Sequence, residues 1–196
     1  MPYVDVLPSK AEIVAHWRER FRDLGIFIDW GEPSCWACGF HYGSKYDVKS
    51  PKAGWNEIFD AWNKIPLQRC HIVPRSLGGK DEPSNLFLMC RECHDQAPNF
   101  PFTDAFLEWA RAQNYLLRES LKLEEAFRSF GVEAERRAEI AAILASTGFK
   151  AWAREKIGFH RPQSNYASVL SRLTPATMIG LAVYYSRLDK NGDASP

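Results

Sequence analysis

An α+β fold that is mainly α is expected from three features of this 196-residue chain. Helical periodicity dominates both ends, whereas residues 31–100 carry cysteine pairs, glycines, prolines and short apolar runs. Two of those runs read as strands. The third feature is the spacing of the cysteines, which organises a small module by metal rather than by a core of its own. The expected organisation is an N-terminal helical segment packing on the core, 1–30, a zinc-bound module, 31–100, and a helical C-terminal region, 101–196. The chain has no internal repeat and no long flexible linker, so the module is expected to be embedded in one compact helical body.

The first helix is marked by Ser9 and Glu12 as a capping box, with Ile13, Val14, Trp17, Phe21 and Leu24 at helical spacing and Gly25 in the C-cap position. A helix over 9–24 is expected. After Pro101, Thr103 is placed to cap a helix bearing Phe106, Trp109 and Ala110, and Leu121 to Phe130 form another that stops at Gly131. Residues 133–146 present Ile140, Ile143 and Leu144 on one face. Thr174 and Pro175 read as N-cap and first residue of a last helix ending near Leu188, followed by a frayed tail.

Lys and Arg total 25 against 24 Asp and Glu, a formal charge of +1, so any surface that attracts a polyanion must be local. Hydrophobic residues make up 45% of the chain, enough for a core in a globular protein. No stretch approaches the apolar length of a membrane span, and the N-terminal residues lack the basic and apolar regions of a leader. A soluble, cytoplasmic protein is expected. Of the five cysteines, four form the C-x-x-C pairs Cys35/Cys38 and Cys90/Cys93, which is metal-ligand spacing, and Cys70 is left over.

The segment LQRCHIVPRSLGGKDEPSNLFLMCRECH, residues 67–94, carries the chemistry. Leu67 to Val73 reads as a strand that Pro74 ends, Gly78 and Gly79 permit a tight reversal, and Asn85 to Met89 reads as a second strand leading through Cys90 into a short helix. Such a strand, loop, strand and helix would bring His71, Asn85 and His94 toward one cleft.

HIVPRSLGG, SNLFLMC and the closing C-x-x-C-H resemble the HNH endonuclease family in its variant with two C-x-x-C pairs, over about residues 33–98. The resemblance implies a ββα-metal module in which His71 is the general base that activates water, Asn85 orients that histidine or its loop, and His94 binds a catalytic divalent metal (Mg, Mn, Ni or Zn). It further implies a structural zinc on Cys35, Cys38, Cys90 and Cys93. The substrate would be nucleic acid, expected as double-stranded DNA and in a restriction or mobile-element setting, with a homodimer where both strands are cut. Arg75, Lys80 and Arg91 are the candidate nucleic-acid contacts.

One position departs from the family. The residue before the base histidine is commonly Asp or His and a metal ligand, but here it is Cys70, a poor partner for Mg²⁺. Cys70 is then a soft ligand, or points away and leaves the metal to His94 with water and phosphate, or marks a degenerate site. The last case is a catalytically silent zinc module that binds nucleic acid. Simpler roles also stand beside the functional ones: His71 as a hydrogen-bonded strand residue, Asn85 as a turn residue, His94 as a zinc ligand or helix cap. Lys150, Trp152, Arg154, Lys156, His160 and Arg161 would follow a phosphate backbone or, more simply, line a solvated helix with Trp152 in the core.

Overall fold

The computed structural model describes residues 7–158 and 174–191, the side chains of 189–191 excepted. His160 and Arg161 of the basic stretch, and the tail beyond Asn191, lie outside the described residues. The protein is α+β and mainly α, with a single two-stranded antiparallel sheet among the described residues. It divides into two compact units, Met1–Tyr115 and Leu116–Pro196.

In the first unit α1 spans Lys10–Trp17, α2 Trp55–Lys64, β1 Gln68–His71, β2 Leu86–Met89, α3 Arg91–Gln96 and α4 Thr103–Arg111. The capping box forms as expected: the Ser9 hydroxyl accepts from the Glu12 amide at 3.2 Å while Glu12 Oε2 accepts from the Ser9 amide at 2.7 Å. The helix is nevertheless half the expected length. From Arg18 the chain closes mainly in tighter turns, with the Arg20 amide donating to the Trp17 carbonyl and the Gly25 amide to that of Arg22, and Gly25 takes φ 68°. Phe21 thereby inserts edge-on against Trp36, with ring centroids 4.6 Å apart, and packs beside Trp17 and Phe87. Aromatic packing, not helical continuation, accounts for the apolar spacing after Trp17.

The ten residues of α2 lie where cysteines, glycines and prolines predict irregular chain. Trp55, Ile58, Phe59 and Trp62 fall on one face, and Trp62 is fully buried in a core shared with Ile13, Val14, Ile65, Leu86, Phe87 and Leu88. The β1–β2 pair has the register Gln68 to Met89, Arg69 to Leu88, Cys70 to Phe87 and His71 to Leu86. β2 is buried on both faces, so every residue of Leu86–Met89 is apolar. The indole Nε1 of Trp17 donates to the carbonyls of Pro83 (2.9 Å) and Leu86 (2.8 Å), which ties α1 to the loop entering β2.

The second unit holds α5 from Leu116 onward (the helix spans Tyr115–Ser129), α6 Arg137–Ala145, α7 Thr147–Arg154 and α8 Pro175–Asn191. The single helix expected over 133–146 is a 3₁₀ turn, Ala134–Arg136, followed by α6, and Ser146 ends it by capping α7 through the Phe149 amide at 3.2 Å. Thr174 caps α8 as expected, accepting from the Thr177 amide, although the helix runs three residues past Leu188. Ile140, Phe149, Ile179, Ala182 and Val183 form this unit's core, and Trp152 packs against it beside Phe149 and Tyr185. Lys150, Arg154 and Lys156 are exposed around it, the arrangement of a solvated helix face. No helix among the described residues is long and apolar enough to cross a membrane.

Candidate metal centre and active site

Two chain segments bring the four paired cysteines together. In the first, the Cys35 amide donates to the Phe40 carbonyl and the Gly39 amide returns to the Cys35 carbonyl, a tight knuckle that needs the positive φ of Gly39 (75°). The Trp36 amide donates to the Leu88 carbonyl and so docks the knuckle on β2. In the second, Cys90 is the N-cap of α3, and its sulfur accepts from the Cys93 amide. All four thiols are buried, unbridged and have sulfurs within 4.8 Å of one another, with Cys38 and Cys90 3.8 Å apart.

A tetrahedral zinc with Zn–S bonds of about 2.3 Å sets its sulfurs about 3.8 Å apart. The donor set and spacing therefore fit a structural zinc. Hydrogen bonding from Cys35 lowers the Cys38 and Cys90 thiols, Cys90 to about 7, while the same contacts and burial push the Cys35 thiol up, the mutual dependence of sulfurs crowded into one pocket. Four sulfurs complete the set without His94. His41, close in sequence to this knuckle, is instead paired with Asp47 at 2.7 Å.

The loop between the strands is fixed by side chain and backbone together. Asn85 Oδ1 accepts from the Val73 amide (2.9 Å), and Asn85 Nδ2 donates to the carbonyls of Val73 (3.0 Å) and Lys80 (2.9 Å). One amide thus staples both ends of the turn. Gly78 adopts φ 89°, and at Gly79 a Cβ would lie 1.7 Å from the Val73 carbonyl oxygen and 2.8 Å from Asn85 Nδ2. The Gly-Gly pair is required for different reasons: a left-handed backbone at the first, close approach at the second.

His71 ends β1, and its Nε2 lies 2.7 Å from Asp81 Oδ1. Asp81 also receives the Arg75 guanidinium on both oxygens, Nε to Oδ1 at 2.6 Å and Nη2 to Oδ2. Hydrogen bonds from His71 first, then Arg75, hold the Asp81 carboxyl below its usual range against the opposing effect of desolvation. Successive strand residues face opposite ways, so Cys70 is turned from His71 toward Phe87 and the core. Burial pushes its thiol up to about 11.

His94 lies on α3, its amide bonded to the Cys90 carbonyl and its side chain about a third exposed, with Nδ1 3.6 Å from Asp95 Oδ1. Lys80 and Arg91 are exposed, the former 3.6 Å from Glu82 and the latter 3.4 Å from Asp95. Arg75 is also exposed but engaged with Asp81. Asp81 escaped sequence reading; its only signal was an acidic side chain in a glycine-closed turn ten residues beyond His71.

A strand, a stapled loop, a second strand and a short helix fixed by four thiols define a ββα module. Residues 64–100 match the HNH endonuclease family model, and the clustered cysteines agree with that family's variant carrying two C-x-x-C pairs. No curated protein and no solved structure matches the chain.

Proposed function

We propose that this protein is a metal-dependent HNH endonuclease that hydrolyses phosphodiester bonds in double-stranded DNA, with His71 as general base. The observation that carries this reading is the placement of His71 at the mouth of a loop whose two ends Asn85 staples, inside the segment that matches the family. A neutral imidazole takes a proton from water near pH 7. The hydroxide attacks phosphorus, the P–O3′ bond breaks with its electron pair on O3′, which takes a proton from solvent water, and the products are a 5′-phosphate and a 3′-hydroxyl. Asn85 holds the loop, a task that needs geometry rather than charge. Lys80 and Arg91 contact phosphates, and a restriction or mobile-element role in the cytoplasm, with a homodimer for double-strand cleavage, completes the reading.

The donor set bears on the catalytic metal. Cys70 is buried, protonated at neutral pH and faces away from His71, which leaves His94 as the protein ligand, with water and substrate oxygens completing the shell. A divalent cation so held would stabilise charge on the phosphate and on the departing oxygen. The buried position of Cys70 yields a prediction. Cys70→Ala is expected to leave the metal preference unchanged at a stability cost of about 1 kcal/mol, whereas Cys70→Asp buries a carboxylate beside Phe87 and costs more than about 4 kcal/mol. Denaturant titration and nicking with Mg²⁺, Mn²⁺ and Ni²⁺ check both; a Cys70→Asp variant that is stable and more active with Mg²⁺ would show that position 70 reaches the metal.

Incubation with supercoiled plasmid, each of these metals and an EDTA control tests the proposed activity. Nicking that EDTA removes supports the enzyme. DNA binding without nicking under every metal would instead favour the silent zinc module, the reading to which the missing hard ligand at position 70 points.

A further inference from the structure

The carboxylate of Asp81 is the point on which the loop's polar side chains converge. Both of its oxygens are engaged, Oδ1 by His71 Nε2 and Arg75 Nε and Oδ2 by Arg75 Nη2. The pair is sheltered: the His71 side chain is 19% exposed and that of Asp81 12%. We propose that Asp81 is a positioning residue for the hydrolysis, holding His71 as the tautomer with its proton on Nε2 and leaving Nδ1 to take the proton from water. This inference rests on the reading of His71 as base.

The chemistry of the donors supports it. An ionised carboxylate only accepts hydrogen bonds, so the imidazole nitrogen 2.7 Å away must carry the hydrogen, and in a neutral ring the other nitrogen then holds the lone pair. When Nδ1 becomes protonated, the imidazolium forms against an anion already in place. Arg75 engages both carboxylate oxygens and so fixes the plane of the group. The same contacts argue against Asp81 as a metal ligand, since its oxygens are occupied and a guanidinium lies beside them. Asn85 enters at one remove: it binds the Lys80 carbonyl, the peptide that leads into Asp81, so the staple sets Asp81 and Asp81 sets His71.

The experiment uses the full-length, zinc-loaded, ¹⁵N-labelled protein, with the His71 ring signals assigned by their loss in His71→Ala. Long-range ¹H–¹⁵N spectra at neutral pH are expected to show the Nε2–H tautomer in the parent and a mixture in Asp81→Ala. Single-turnover plasmid nicking by Asp81→Ala is expected to fall about 10- to 100-fold at saturating protein, with zinc content unchanged and DNA affinity no weaker than the parent's, since Arg75 is released from its partner. Asp81→Asn, which keeps the volume and removes the charge, is expected to lose rate in the same way and serves if the alanine variant is unstable. A parental rate with an unmoved Nε2–H tautomer in these variants would overturn the inference. So would a lost rate that rises back with Mg²⁺ or Mn²⁺ concentration, which would make Asp81 a metal ligand. A parent that does not nick at all would remove the nuclease reading beneath it, whereas an active parent with an unaltered Asp81→Ala removes this inference alone.

Discussion

His71→Ala is expected to lower plasmid nicking by about 10²- to 10⁴-fold while zinc content, thermal stability and DNA affinity stay close to those of the parent. The separation follows from where the ring sits. The His71 backbone pairs with Leu86 in the sheet, and that pairing survives truncation of the side chain. Its ring meets Asp81 and is no part of the buried apolar core or of the four-sulfur set. Loss of the imidazole therefore removes a proton acceptor at the reacting step without removing a packing element. Single-turnover rates at saturating protein isolate that step, and retained nicking in the variant would remove His71 from the mechanism.

Metal removal is expected to have the larger structural effect. The purified protein should hold about one zinc per chain even in preparations stripped of weakly bound divalent ions, and Cys35→Ser should be largely insoluble. Structural zinc sites contribute roughly 10–16 kcal/mol of apparent binding free energy, which exceeds the whole stability of most small domains. The four thiols sit inside the same core as Trp36, Phe87 and Leu88, so without the cation their polar sulfurs crowd within 4.8 Å of one another amid apolar packing. A strong chelator should abolish amide-exchange protection over 33–98. Elemental analysis gives the complementary check, and zinc near zero in a folded, soluble preparation would rule out the structural site.

The module was legible from sequence because its signals are local. The C-x-x-C spacings, the Gly78-Gly79 pair and the apolar run of β2 each dictate geometry within a few residues, and both strands and α3 form there, although β1 ends at His71, short of Val73 and Pro74, and Asn85 closes a 3₁₀ turn before β2. The Ser9 capping box and the Thr174 cap were legible for the same reason. What escaped depends on distant partners. The chain after Trp17 keeps a helical spacing of apolar residues but turns because Phe21 finds Trp36 and Phe87. The apolar face of α2 was obscured by the glycines and prolines around it, and its N-cap, Gly54, offers no side-chain oxygen to announce it. Asp81 is the clearest case: its contact with His71 exists only once Gly79 and Asn85 have folded the loop, and no spacing rule links the two residues.

The most direct measurement is a side-by-side nicking assay of the parent and His71→Ala on supercoiled plasmid, both prepared identically, assayed for zinc, and incubated at neutral pH with Mg²⁺, Mn²⁺ or Ni²⁺ and with EDTA. The parent should convert the plasmid to open circles with at least one metal and lose that activity in EDTA, while His71→Ala, carrying the same zinc, should leave it supercoiled. Equal conversion by both proteins would mean that the activity lies elsewhere or in a contaminant, and no conversion by a zinc-loaded parent with any metal would contradict the nuclease assignment.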